Sequence, residues 1–268
     1  MKTILTSLLI VTQIVLFSQE QAAVKMELVN FSNKKFNDFA PSFYKDGILF
    51  LSDRGSGTVF PDLYYSDFVA APVKLKFHNN KHFLGQSFYD VSNDILYITK
   101  TSNEPSDNNR RNIAIYKSKI KKGKIVKLKK LSFCDPNYSY AYPQILDGKL
   151  LISSNAVDGL YSLIQYTSVK GKWYQEKVIF SDTSPILYPS YKDKNTLFFA
   201  SKRAGGKGGS DLYKIVKRNG EWSEPLNLSA FNSEYDELGL LFIDNKSGYL
   251  SSNRLDHKDH IFKFTIEL

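Results

Sequence analysis

Three acidic side chains have the chemistry to break a glycosidic bond if a fold gathers them: Asp38, Asp236 and Glu237. Such hydrolysis needs two separated carboxyl groups, one as acid and one as nucleophile or base. Asp256-His257-Lys258-Asp259-His260 offers imidazoles and carboxylates in one run. His257 and His260 would share a face only on a helix, and this segment reads as a loop entering a strand, so no metal is expected there. His78 and His82 lie in a polar connection without supporting ligands. Gly205 to Ser210 invites a phosphate-loop reading, but its Lys207 stands between two glycine pairs and a strand follows instead of a helix. A hairpin loop is the expectation. No Gly-x-Ser-x-Gly elbow occurs. No catalytic residue and no cofactor is therefore assigned from the sequence, and the three carboxylates are read first as bonding turn amides. A glycan-active hydrolase built on Asp38 with Asp236 or Glu237 is the alternative, and a binder of a small ligand in a central channel is another.

The candidate binding residues are basic and aromatic. Arg54, Arg203 and Arg254 follow equivalent strands and would form a basic ring suited to a carboxylate. Eight lysines between Lys117 and Lys130, with Lys121, Lys122 and Lys124 at the centre, form the densest charge cluster. They would guard an edge strand or meet an anionic partner. Tyr138, Tyr140 and Tyr142 alternate, so an extended chain would turn them to one side as a stacking patch.

These residues are positioned by a repeat of about fifty residues. Hydroxyls at Ser52, Thr99, Ser153, Ser201 and Ser252 lie 47, 54, 48 and 51 apart. Aromatics at Tyr64, Tyr116, Tyr161, Tyr213 and Phe262 lie 52, 45, 52 and 49 apart. Each unit opens on a Pro or aromatic run, turns at a pair such as Asp46-Gly47 or Asp147-Gly148, and continues through short strands rich in β-branched and aromatic residues. Four short strands at this period predict an all-β, five-bladed β-propeller of four-stranded antiparallel blades. The blades fall at about 36–78, 79–132, 133–181, 182–229 and 230–268. The last unit has only three strands, so the alternating segment 24–31 is expected to supply its outer strand and close the ring.

The pattern Pro-x-Phe, Asp-Gly, Phe-x-Ser-Asp-Arg, Asp-Leu-Tyr resembles the TolB-type, WD-like propeller repeat of secreted and periplasmic proteins. Phe199 to Arg203, Gly205 to Tyr213 and Gly220 to Leu228 look like the repeats that accompany OmpA-type domains in Bacteroidota envelope proteins. The resemblance spans about 39–268, clear in units one, four and five. It implies a propeller used as a scaffold or binding platform in the cell envelope, in some relatives beside outer-membrane secretion or gliding machinery. The OmpA-type domain itself is not part of the resemblance.

The first eighteen residues read as an address. Lys2, an apolar stretch ending at Phe17 and the small Ser18 describe a secretory signal peptide, too short to span a bilayer. No Cys follows for acylation, and no second apolar run reaches spanning length. Residues 19–268 are then one propeller domain, exported to the periplasm or secreted. In its 268 residues, 42% hydrophobic and 14% aromatic content excludes disorder, and one cysteine excludes a disulfide scaffold. The net charge of +9 favours an acidic partner. The expectation that follows is a non-catalytic module that binds an envelope protein, without nucleic acid and without a membrane span, in an unassigned oligomeric state.

Overall fold

A computed structural model describes residues 23–55, 60–77, 84–157 and 159–267. The proposed signal peptide and both His78 and His82 lie outside them. No described helix is long and apolar enough to cross a membrane.

The strands, numbered in chain order, begin with β1 (Ala23–Leu28). Blade 1 is β2 (Asp38–Tyr44), β3 (Gly47–Ser52), β4 (Asp62–Ser66) and the short β5 (Val73–Lys74). Blade 2 is β6 (Leu84–Asp90), β7 (Ile95–Thr101), β8 (Ile113–Lys121) and β9 (Lys124–Lys130). Blade 3 is β10 (Tyr140–Leu146), β11 (Lys149–Val157), β12 (Leu160–Val169) and β13 (Lys172–Asp182). Blade 4 is β14 (Ile186–Asp193), β15 (Thr196–Ser201), β16 (Asp211–Arg218) and an outer edge split into β17 (Glu221–Trp222) and β18 (Leu226–Asn227). Blade 5 is β19 (Glu237–Phe242), β20 (Ser247–Ser252), β21 (His260–Glu267) and β1.

The expected five-bladed propeller is therefore the observed fold, and the expected closure is observed too. β1 pairs antiparallel with β21 from Ala23 opposite Glu267 to Leu28 opposite Phe262. The paired strand ends at Leu28, earlier than the predicted 31. Val29 and Phe31 leave the sheet and are buried with Ile48, Phe50 and Ile261, between blades 5 and 1. The first strand of each blade touches its counterparts on both sides, in the order β2, β6, β10, β14, β19 and back to β2. Small twisted sheets cannot cover their own faces, so Phe199, Phe264, Leu150 and Leu197 are buried where one blade stacks on the next. Each such side chain contributes about 1.5–3 kcal/mol of burial.

The ladders correct the predicted register in two blades. Ser52 pairs Asp38, Ser201 pairs Ile186 and Ser252 pairs Glu237, but the matching residues in blades 2 and 3 are Lys100 and Ser154. Thr99 and Ser153 sit one place earlier, beside Ser251. These earlier hydroxyls join blades: Ser251 accepts from the Ala40 amide at 3.1 Å, Thr99 from the Tyr142 amide at 3.0 Å, and Ser153 donates to the Ile186 carbonyl at 2.7 Å. The predicted aromatic Tyr161 is also displaced, because Ile164 pairs Ile152 where Tyr64 pairs Phe50 in blade 1.

All five innermost strands carry a bulge at equivalent places, and four of them have positive φ there, at Ala40, Tyr142, Tyr188 and Gly239. A bulge re-aims its side chain and sharpens the local twist. In blades 3 and 4 the re-aimed side chains are large tyrosines.

Candidate functional site

The re-aimed Tyr142 and Tyr188 rings stack against each other, 4.5 Å between centroids and tilted by 40°. Burial pushes the Tyr142 hydroxyl up to about 12. Tyr188 is raised further, by burial first, then by Tyr142 and by the charge of Asp259. The bulges of the innermost strands of blades 3 and 4 thus bring two phenols together as a plug between those strands, with an acid within electrostatic range of one of them.

That acid has a neighbour. Burial, and next the negative charge of Asp236, push the Asp259 carboxyl up to about 6. Asp236 immediately precedes β19 and Asp259 immediately precedes β21. The Asp236 amide donates to Asn253 Oδ1 at 2.7 Å. The Asp259 amide donates to Asn37 Oδ1 at 3.2 Å, and the Asp259 carbonyl accepts from the Asp38 amide at 2.7 Å. Two loops of blade 5, seamed to the start of blade 1, therefore fix both acids at the end where the innermost strands begin. Asp236 Oδ1 is buried without a hydrogen-bond partner.

The glycine-rich loop of blade 4 shapes this place. A Cβ on Gly209 would stand 2.6 Å from Asp236 Oδ1, and one on Gly208 would stand 1.8 Å from the Tyr235 carbonyl oxygen. Only glycine lets the loop lie this close. The loop's amides are engaged within the chain. The amides of Lys207 and Gly208 donate to the Asp211 carboxylate at 2.6 and 3.0 Å, as the hairpin expectation requires.

A cleft of about 280 Å³ adjoins the phenol plug at the same end of the ring. Tyr142 forms one side, and Ser139, Ser154, Asn155 and Tyr161 offer hydroxyl and amide groups. The Ser139 amide is held by Asn155 Oδ1 at 2.8 Å, the same bond that Asn253 makes to Asp236.

The other two predicted carboxylates are differently placed. Asp38 is fully buried and receives Arg54 Nη2 at 2.5 Å and the Ser32 hydroxyl at 3.0 Å. Glu237 is fully buried and receives Arg254 Nη2 at 2.9 Å and the Ser233 amide at 2.8 Å. Neither can reach a ligand, so of the predicted acids only Asp236 enters the site. The arginines are spent on the same contacts. Arg54 and Arg254 each donate Nε to the serine two residues earlier at 3.0 Å and Nη2 to a backbone carbonyl, of Phe31 and Phe231. Arg203 pairs Asp182 at 3.6 Å.

A Ser–His–Asp order also appears, with His260 Nε2 2.7 Å from Asp256 and its Nδ1 3.4 Å from Ser32 Oγ. Ser32 donates to Asp38 and is buried with His260, so this chain of contacts ties the amino-terminal segment to blade 5 and offers no exposed nucleophile.

The expected tyrosine patch does not form. The bulge after Ala141 breaks the alternation: Tyr138 is exposed, Tyr140 is buried against Phe133, and Tyr142 turns to the axis. Lys121, Lys122 and Lys124 surround the exposed tip of the β8–β9 hairpin, far along the chain from either acid, with Lys122 at φ 48 and Gly123 at φ 69 in its turn. Asp259 was the residue sequence reasoning missed. Its segment was singled out, but the groups coupled to it, Asn37, Tyr188 and Asp236, lie outside that segment.

No family model matches the chain, and no curated protein matches it by sequence. Solved structures match by fold. The soluble aldose sugar dehydrogenase of Escherichia coli is 9% identical, with 91% of this chain and all of that one aligned at a TM-score of 0.52. A putative TolB from Agrobacterium tumefaciens is 12% identical over 87% of this chain and 78% of its own, also at 0.52. The Bacteroides ovatus xyloglucan PUL protein GH43B is 14% identical over 85% of this chain at 0.50, and the match spans about half of its length, 49%. The fold is shared; the sequences are not. These neighbours correct the expectation of a non-catalytic scaffold. That expectation and the judgement that the chain is no enzyme rest on the family resemblance and on the missing catalytic motif, whereas the same fold serves a sugar dehydrogenase and a GH43 protein.

Proposed function

We propose that the axial mouth is a carbohydrate-hydrolysing site. Asp259 gives its proton to the leaving glycosidic oxygen. Asp236 takes a proton from the water whose oxygen bonds to the anomeric carbon. The cleft beside Tyr142 seats the sugar through the Ser139, Ser154 and Asn155 groups. The observation that carries this reading is the buried, unpartnered Asp236 Oδ1 in the neighbourhood of the Asp259 carboxyl, which burial and the Asp236 charge push up to about 6. Pairs of acids whose environments push their proton affinities apart divide the roles of acid and base. The reading rests on these side chains, because neighbours at 9–14% identity supply the architecture alone.

The test is release of reducing ends from a panel of neutral and acidic oligosaccharides by the wild type, Asp259→Asn and Asp236→Asn. Turnover falling about 100-fold or more in each variant, with the thermal transition intact, supports the site. A wild type without turnover on the panel, or an Asp259→Asn variant as active as wild type, overturns it.

Around this site the remaining expectations stand as proposals. Lys2 and the apolar stretch to Phe17 support export by cleavage near Ser18. The similarity of Gly205 to Tyr213 and Gly220 to Leu228 to OmpA-associated repeats supports an envelope location and a Bacteroidota source. Amino-terminal sequencing of protein from the periplasmic fraction tests the export.

A further inference from the structure

Blade 2 carries a basic groove that the axial mouth does not use. Lys117, Lys119, Lys121, Lys127 and Lys129 line a cleft of about 660 Å³, with Ile95 and Val126 among its apolar walls. Lys117, Lys119 and Lys121 alternate along β8, roughly 6.6 Å apart in the strand direction. Lys117 stands directly opposite Lys129, and Lys121 directly opposite Lys124. Like charges facing across a ladder destabilise it. Of the groove lysines, Lys119 has an acid partner, Asp94 at 3.1 Å.

Edge protection does not account for this arrangement. β8 is paired on both sides, with β7 and β9, so its three lysines guard no edge. On β9 the free side is already taken at Ile125, whose amide donates to the Lys76 carbonyl at 2.9 Å, while the Lys76 amide donates to Gly123 at 2.8 Å. That bridge covers the β9 edge at its first residues.

We propose that this groove binds a polyanionic polysaccharide chain, with several lysines engaging successive carboxylates or sulfates. The inference goes beyond hydrolysis at the mouth and does not depend on it. The lining selects the occupant. Five lysines along one cleft match an anion that repeats along a chain. Its lining has no arginine and no aromatic ring, the groups on which single-stranded bases stack. Lysine gives point charges without a preferred plane, which suits a repeating anion whose rotation varies along a chain.

The experiment is titration of the full chain with polygalacturonate and dextran sulfate at about 0.15 M ionic strength, with neutral dextran as control. The triple variant Lys117→Gln/Lys121→Gln/Lys129→Gln removes the opposed charges and keeps the fold, read from an unchanged thermal transition. A matched variant, Lys45→Gln/Lys170→Gln/Lys246→Gln, removes the same charge at turns elsewhere. The expected result is binding to an anionic glycan that weakens about tenfold in the first variant and within twofold of wild type in the second. Equal weakening in both variants, no binding of either glycan, or binding confined to poly-glutamate or to phosphatidylglycerol vesicles overturns the proposal. Loss of glycan turnover at the mouth with this binding intact leaves the groove standing, so the two readings fail separately.

Discussion

Asp236 and Glu237 are adjacent in sequence, yet the fold gives them opposite duties. Glu237 is locked to Arg254 and Ser233 inside blade 5, and Asp38 is locked to Arg54 in the same way in blade 1. Removing one partner of a buried pair leaves an uncompensated charge. Asp38→Ala and Glu237→Ala should therefore each cost about 3–5 kcal/mol in denaturant unfolding, while Asp236→Asn stays within about 1 kcal/mol of wild type. The sequence showed that acids stand at the blade openings. It could not show which of them an arginine sixteen or seventeen residues later would claim, because only the ladder register brings Arg54 to Asp38 and Arg254 to Glu237. Asp259 was illegible for a stronger reason: its low-dielectric surroundings come from blades 1, 4 and 5 together. Its raised proton affinity fixes the sign of a second prediction. The folded state holds this proton more tightly than the unfolded chain, so the Asp259 contribution to stability is greatest below the ordinary carboxyl range and is lost as pH rises through about 6. Asp259→Asn removes the charge and should gain about 1–3 kcal/mol at pH 8 and nothing at pH 4, measured by urea unfolding at both.

At the scale of strands, closure rests on β1. Its six residues satisfy the outer edge of β21, and the segment behind them seats Val29 and Phe31 between blades 5 and 1. Deleting residues through Leu28 uncovers the β21 edge while leaving that buried pair in place. An open edge templates pairing with another chain. The truncated protein should lose about 10 °C in thermal midpoint and form concentration-dependent aggregates in light scattering, whereas a cut ending at Val24 should do neither. This strand was legible from its alternation and from the missing fourth strand of the last unit. Its neighbours were less so: the hydroxyl anchors slipped by one in blades 2 and 3, where Thr99 stands before Lys100 and Ser153 before Ser154. Hydroxyls occur at either of two consecutive ladder positions, and at both in blades 3 and 5, so residue type alone does not fix the register.

The described residues form a ring whose first and last strands pair. Ala23 lies opposite Glu267, and paired residues in an antiparallel ladder are about 5 Å apart, so a linker of about four residues joins the ends without distortion. New termini placed at Thr183-Ser184, between β13 and β14, cut a connection between blades and no ladder. The permuted chain keeps every blade and every stacked face. It should unfold in one cooperative transition within about 5 °C of the parent, followed by circular dichroism and by tyrosine fluorescence. It also separates two accounts of the seam. If β1 acts only by covering an edge, the permutant, in which β1 and β21 are covalently joined, becomes tolerant of β1 substitutions that weaken pairing. If the Ser32 to Asp38 and Arg54 network is what holds blade 5 to blade 1, Ser32→Ala lowers the midpoint equally in both chains, because that network is unchanged by the new connection.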